Sequence, residues 1–521
     1  MSPRPGARRG SLSPGARFAY AGCAVTLAAA ALSAAPPARA ADAGEGVDAT
    51  SATGAEGRQA HVRLGVERTK FPGGEHVGLV GTTYLVDVGK DTGLSLGPAV
   101  YGAITGRRGG FFTFGGEAAW RTRLIGPLAT EIGLYAGGGG GSGAPQGGGL
   151  MLRPHVDLLW INDGYAFGLS LSKVKFPNGQ IDSNQIGLVF DAGTDFNFVP
   201  ASRLGAQVQS GGRTGLGFDR MAIVLGTYLP SRSLVLNDGN LSPRTIRTLG
   251  VRAERGWGRN TYWGVEASGA AQSGVAGYAE YLVSAAIEGQ VVAGRVDVGA
   301  RVAAGMSGGG NVPVGGGALG KAALYGLVRV SDNVALSLEG GLASSVGAGR
   351  FRAASLGLGM VWAFDAPAGR QAAALAVRND FSFGVEQFNA VRRDGSTRLL
   401  QADVLKIDRF VTPNVFLTGQ VHSAVAGGAG GYSAALIGAG WFQPLGPRLH
   451  VGVEGLAGAS GGGGVDSHGF IGQAQGFVGY QATPAIALRV GGGRIKAARG
   501  PLAANVVNAV VTFTYGVSSG G

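Results

Sequence analysis

Sulfur chemistry is nearly absent from this sequence. One of the 521 residues is cysteine, Cys23, and it lies in an N-terminal stretch that reads as a removable signal. A chain that sheds it has no disulfide to form and no thiol nucleophile. The six histidines are scattered, with neither an HExxH nor a Cys/His spacing, so no metal motif and no cofactor are expected. Proline is scarce, at 21, and no Gly-X-Y period appears, which excludes collagen. Only 15% of residues are charged, and no basic-aromatic groove that could hold nucleic acid is evident. Beyond the N-terminus no run of about 18 apolar residues appears, so no transmembrane helix is expected. Any membrane crossing must be made by strands.

What the chain has in excess is glycine, 99 residues of 521, against an ordinary share of about 7%. Glycine costs about 1 kcal/mol per position in a helix interior, which excludes a helical protein. Simple disorder is excluded too, because 45% of the residues are hydrophobic and can bury a large surface.

Residues 1–40 carry the marks of secretion. Arg4, Arg8, Arg9 and Arg17 form a basic start, an apolar stretch runs over 18–35, and Ala38-Arg39-Ala40 is a small-x-small cleavage site. Without the five arginines of this segment, 39 basic residues stand against 32 acidic ones, a formal charge of +7 in place of +12. A short periplasmic segment, 41–59, is expected to follow.

From residue 60 onward the pattern has period two, which marks half-buried strands. Leu356, Leu358, Met360 and Trp362 share one face while Ser355, Gly357 and Gly359 take the other. Val296, Val298, Ala300 and Val302 alternate with Arg295, Asp297, Gly299 and Arg301. A sandwich would alternate as well, but a clean apolar face opposite glycine, alanine, serine and paired charges suits a lipid-facing wall around a polar lumen.

Internal repeats organise these strands. The segment 294–299 (GRVDVG) lines up with 447–452 (PRLHVG), an offset of 153, and Ser307-Gly-Gly-Gly falls on Ser460-Gly-Gly-Gly at the same offset. Trp120 matches Trp441, and Gly126-Pro127 matches Gly446-Pro447. Three units result, 60–198, 219–366 and 371–516, with a tail at 517–521. Each divides into about eight strand-like stretches, for roughly 24 strands, within the bacterial range. Tight turns such as 162–164 and 331–333 alternate with longer connections. Among the latter are glycine tracts at 137–149, 307–317 and 460–465, which read as flexible loops. Short turns on one rim and long loops on the other put the N-terminus in the periplasm.

These features together, signal, period-two strands, asymmetric loops and an aromatic last strand, resemble bacterial outer-membrane β-barrel proteins, porin-like, as a class. The resemblance covers nearly the whole chain after the signal and rests on pattern instead of a diagnostic motif. Such barrels usually end on an aromatic; here Phe513 and Tyr515 are followed by 516–521. The resemblance implies an all-β, transmembrane, antiparallel up-and-down barrel in the outer membrane. Because only 366–370 separate the second and third units, one continuous sheet is expected, although 199–218 could link separate barrels. A single 24-strand barrel would be roughly 45–50 Å across.

Alternation places Arg121, Arg123, Arg153, His155, Asp157, Arg295, Asp297, Arg301 and Arg489 on the lumen face. Among them Arg153, His155 and Asp157 could orient a base, but no nucleophile partners them, and a wall-supporting ion-pair cluster is the plainer expectation. No enzyme activity is assigned. A basic outer rim is expected from Lys70, Arg107, Arg108, Lys175, Arg350, Arg352, Arg392, Arg393, Arg494, Lys496 and Arg499, in contact with lipid headgroups and lipopolysaccharide phosphates. The expected function is a channel or conduit, porin-like or exporting a polymer such as exopolysaccharide. The alternatives are a structural or partner-binding barrel with an occupied lumen and, last, an outer-membrane hydrolase.

Overall fold

The structure is a computed structural model that describes residues 55–89, 92–210, 213–258, 260–363 and 372–519. The signal segment 1–40 lies outside the described residues. Strands dominate, as glycine and period-two alternation require. The first unit comprises β1 (Glu56–Lys70), β2 (His76–Asp87), β3 (Leu94–Thr105), β4 (Phe112–Ile125), β5 (Leu128–Gly140), β6 (Met151–Asn162), β7 (Tyr165–Lys175) and β8 (Asp182–Phe198). A short strand, β9 (Gln207–Ser210), follows in the connection. The second unit comprises β10 (Arg220–Pro230), β11 (Ile246–Gly256), β12 (Thr261–Ala270), β13 (Ala279–Val292), β14 (Val296–Gly308), β15 (Ala318–Ser331), β16 (Val334–Ser345) and β17 (Arg352–Trp362). The third comprises β18 (Ala372–Val391), β19 (Thr397–Phe410), β20 (Val415–Ala426), β21 (Ser433–Pro444), β22 (Leu449–Gly461), β23 (Phe470–Thr483), β24 (Ile486–Ala497) and β25 (Ala503–Ser519).

Three units of eight antiparallel up-and-down strands are therefore present, but the expected single sheet is not. Each unit closes on itself. β1 pairs with β8 from Glu56↔Phe198 to Glu67↔Gly187, β10 with β17 from Met221↔Trp362 to Pro230↔Ala353, and β18 with β25 from Leu375↔Ser519 to Phe388↔Val506. Each first strand saturates the hydrogen-bonding edge of its own last strand, so no edge is left to continue into the next unit. The 45–50 Å lumen disappears with that pairing, because an eight-strand barrel encloses only enough space for its own side chains. The boundaries shift too. Strand β1 begins at Glu56, inside the segment expected to be periplasmic, and β25 runs to Ser519, through most of the expected tail. The connection after β8 is partly built into the third barrel, where β9 pairs with the start of β18 through Gln207↔Leu375 and Ser210↔Ala372.

Outward residues form an apolar band around the barrels, with Leu188, Leu324, Leu338, Leu358 and Val490 all more than half exposed. Exposed aromatics, Trp120, Trp160, Phe167, Trp441, Tyr480 and Phe513, lie near the strand ends at the short turns. This is the interfacial girdle of a transmembrane barrel.

The glycine tracts are not free loops. They join the barrels in a ring. The 106–111 connection of barrel 1 meets 309–317 of barrel 2, where the Gly109 amide donates to the Gly315 carbonyl at 3.0 Å. The 427–432 connection of barrel 3 meets the end of β5 and the tract that follows it in barrel 1, 139–149, with Gly431 donating to Gly139 at 2.8 Å and Gly430 to Gly147 at 3.1 Å. Between barrels 2 and 3, a Cβ on Gly461 would overlap the backbone of Gly277. In every case the connection after a barrel's third strand meets the glycine tract after the fifth strand of a neighbour. Below the ring an apolar junction joins all three barrels. Phe112 and Phe114 pack on Tyr281 with centroids 5.2 and 5.0 Å apart, together with Met306, Leu405 and Val421. On the outer face of barrel 3, Asp403 is buried in that junction and accepts from the amides of Gly138 of barrel 1, at 3.1 Å, and Ser423, at 3.2 Å.

Candidate functional site

Each barrel holds a network of buried charges at mid-height. In barrel 1 the Arg63 guanidinium from β1 meets Asp191 of β8 at 2.8 Å, Asp157 of β6 at 3.1 Å, Glu117 of β4 at 3.5 Å, and Glu131 of β5. Arg121 bridges Glu131, at 2.8 Å, and Asp191. Arg153 pairs with Glu67 at 2.9 Å. His155 is 3% exposed and lies between Glu117, at 3.3 Å, and Asp157, at 3.1 Å. Inward alternation on β1, β4, β5, β6 and β8 brings these groups together, with Arg121, Arg153, His155 and Asp157 on the inward face.

Barrel 2 is built the same way. Arg301 reaches Glu254 at 2.8 Å and Glu339 at 2.9 Å; Arg252 reaches Glu339 at 2.9 Å; and Arg220 joins Glu254 to Glu288 at 2.8 and 2.9 Å. Asp297 is inside, paired with Arg329 at 2.8 Å. In barrel 3, Arg489 links Asp380 and Asp408, and Lys406 pairs with Glu454. Carboxylates removed from water need such partners, since an unpaired buried charge costs several kcal/mol.

Two expected lumen residues lie elsewhere. Arg295 belongs to the turn after β13 and is exposed, and Arg123 is exposed at the end of β4. Parity holds for both, but Arg123 stands in β4 beyond the enclosed interior and Arg295 stands in the turn. Conversely, Asp191, Arg220, Lys321, Asp380, Lys406 and Asp408 are interior residues that sequence reasoning passed over. Asp408 and Lys406 alternate with Leu405 and Ile407, a signal blurred because Val404 and Ala402 also face inward.

Both ends of the interiors are largely closed. At the long-loop end, barrel 1 is filled by Phe71, Phe111 and Phe176, with centroids 5.5 and 5.8 Å apart. Tyr228, Tyr278 and Phe351 fill barrel 2, and Phe388, Tyr432 and Leu400 fill barrel 3. At the short-turn end barrel 3 is sealed by Phe410, Phe416, Phe442 and Phe477, and barrel 1 by Ala129, Leu159, Ala166 and Val189. At that end of barrel 2 a cavity of about 450 Å³ opens beside the buried Ala222, Leu327 and Val361, lined by Arg220, Trp257, Tyr262, Arg329 and Asp332, among others.

Two clusters in barrel 1 have donor atoms close enough to suggest cation ligation: His61, Glu131 and Asp191, and Glu131, His155 and Asp157. Their carboxylates already meet the guanidiniums of Arg63 or Arg121. The negative charge a metal ion would need is therefore taken. His155 is itself buried among these side chains.

At the long-loop rim, Lys70, Arg107, Lys175, Arg350, Arg352, Arg393, Arg494, Lys496 and Arg499 are exposed. Arg108 is half-buried against Glu75 at 2.6 Å. Arg392 departs from expectation: it is buried and donates to the carbonyls of Gly463, at 2.9 Å, and Gly427, at 3.0 Å. In the loop beside it, hydrogen bonds from the Ser396 hydroxyl and amide hold the Asp394 carboxyl below the usual carboxylate range.

No protein-family model matches the chain, and no curated protein matches it. Solved structures do. A de novo designed transmembrane β-barrel is 14% identical over 26% of this chain and 94% of its own, with a TM-score of 0.19. The outer membrane channel DcaP of Acinetobacter baumannii is 12% identical over 90% and 99%, at 0.20. The siderophore receptor PirA of the same organism is 10% identical over 88% and 80%, at 0.27. The closed up-and-down sheets, apolar outer band and aromatic girdle of this chain are those of bacterial outer-membrane β-barrel proteins, the class that includes the porins.

Proposed function

We propose that this protein is an outer-membrane platform of three closed barrels, with its long-loop rim outside and both ends of its strand array in the periplasm. It acts by anchoring and by contacts at its rims. The observation that carries the reading is the state of the interiors: each is crossed by buried ion pairs and capped at the long-loop end by aromatic and aliphatic side chains. Export of a polymer would need a bore that none of the three barrels offers among the described residues. The occupied-lumen alternative is favoured with one refinement, that the chain's own side chains are the occupants.

A second reading, porin-like passage of small solutes, is favoured by the open mouth of barrel 2. Planar-bilayer recording on the purified chain separates the two. The platform reading expects no conductance steps above the bare bilayer while the protein keeps the heat-sensitive gel mobility of a folded barrel. Reproducible steps from folded protein would sink it in favour of the channel.

A further inference from the structure

The three barrels provide internal controls for one another, and one comparison leaves a charge without its partner. On the outer face of barrel 1, Lys173 and Lys175 of β7 share a counter-ion, Asp182 of β8, at 2.8 and 3.9 Å. Lys175 stands directly across the ladder from that acid. The corresponding ladder in barrel 3 pairs Lys496 of β24 with Ala503 of β25. The acid is gone while the number of basic charges is kept, because Arg494 lies on the same outward face two residues from Lys496, as Lys173 does from Lys175, and stands opposite Asn505. Arg494, Lys496 and Asn505 are all exposed, and among the described residues neither cation forms an ion pair.

Their height on the wall is informative. Ile486 pairs with Phe513, an exposed aromatic of the girdle at the short turns. Lys496 is ten residues farther along β24. At about 3.3 Å per residue and a tilt near 40°, it stands roughly 25 Å above that girdle. Between the two levels the outward residues of β24 and β25 are Leu488, Val490, Gly492, Val507, Ala509 and Val511, none of them charged. The patch therefore begins where the hydrocarbon band ends, at the headgroup level of the long-loop leaflet. Two cations and an amide donor at that level, with no acid across the ladder, complement a multiply charged oxyanion.

We propose that Arg494, Lys496 and Asn505 form a docking site on the lipid-facing wall of barrel 3 for the phosphate of a phosphorylated glycolipid in the outer leaflet. The site rests on the outer-membrane reading above, with the long-loop rim outside. The test is native mass spectrometry of the full chain in detergent, with bis-phosphorylated glucosamine-disaccharide lipid A as the probe and its dephosphorylated form as control. Wild type is expected to retain one phosphorylated lipid and to release the dephosphorylated one. Arg494→Gln with Lys496→Gln should lower the retained fraction at least tenfold, whereas Arg448→Gln, in an exposed short turn at the opposite rim, should leave it unchanged. Unchanged retention in the barrel 3 variant, or equal retention of both lipids by wild type, overturns the proposal. Heat-sensitive gel mobility confirms that each variant is folded. Failure of the outer-membrane reading would show separately, as the chain fractionating away from the outer membrane in cells.

Discussion

Arg63 is surrounded by the carboxylates of Glu117, Glu131, Asp157 and Asp191, contributed by four other strands of barrel 1. Removing it strands those charges where water cannot solvate them. Arg63→Ala is therefore expected to destabilise the folded chain by about 3–5 kcal/mol, the cost of breaking a buried pair from one side. Urea unfolding followed by gel mobility would measure this. Arg295→Ala, at an exposed turn, should change stability by less than about 0.5 kcal/mol. The contrast marks what could be read at this scale. Alternation alone assigns Arg295 and Arg301 to one face, and both readings are correct as parity. Whether a residue of that parity is interior depends on where the strand stops, which the β13–β14 turn decides. Arg392 shows the converse: a loop arginine looks like a rim cation until the glycine carbonyls of two neighbouring connections close around it.

At the scale of elements, the glycine tracts work by allowing backbones to touch. Gly110 has φ of +93°, and a Cβ there would run into the amide of Gly309 across the barrel 1–barrel 2 contact. Gly110→Val is expected to cost at least about 1–3 kcal/mol through overpacking, with backbone strain added. The damage should be confined to the contact between barrels, so strand content by circular dichroism stays at the wild-type level while the unfolding midpoint falls. Gly65→Ala is the control, because no atom lies within 4 Å of the position its Cβ would take. The recurrence of the tracts was legible as a repeat, and so was their place in each unit. Their role was not, because the surfaces that meet come from different repeats: a tract in one unit touches the connection after the third strand of another. A self-comparison aligns equivalent positions, whereas the interface joins non-equivalent ones.

For the whole molecule the decisive event is closure at eight strands. The sequence carries both the number of strands and their grouping, but the pairing of β1 with β8 in place of a neighbour's edge is a long-range choice that no local pattern encodes. One indirect cue existed. Inward positions carry arginine and glutamate in near balance, which is the filler of a narrow barrel; a wide aqueous lumen would solvate such charges singly. The same filling makes the three barrels unequal in access. Arg329 lines the open mouth of barrel 2 with its side chain 44% exposed, whereas Phe477 of barrel 3 is sealed among Phe410, Phe416 and Phe442. In a Cys23→Ser background, a cysteine at position 329 is expected to react with a membrane-impermeant maleimide at least tenfold faster than one at 477. Reagent added to spheroplasts or to proteoliposomes of known orientation should reach 329 only from the short-turn side, because Tyr228, Tyr278 and Phe351 close the other end. Labelling from both sides would mean that barrel 2 is open along its length, and the channel reading would then displace the platform.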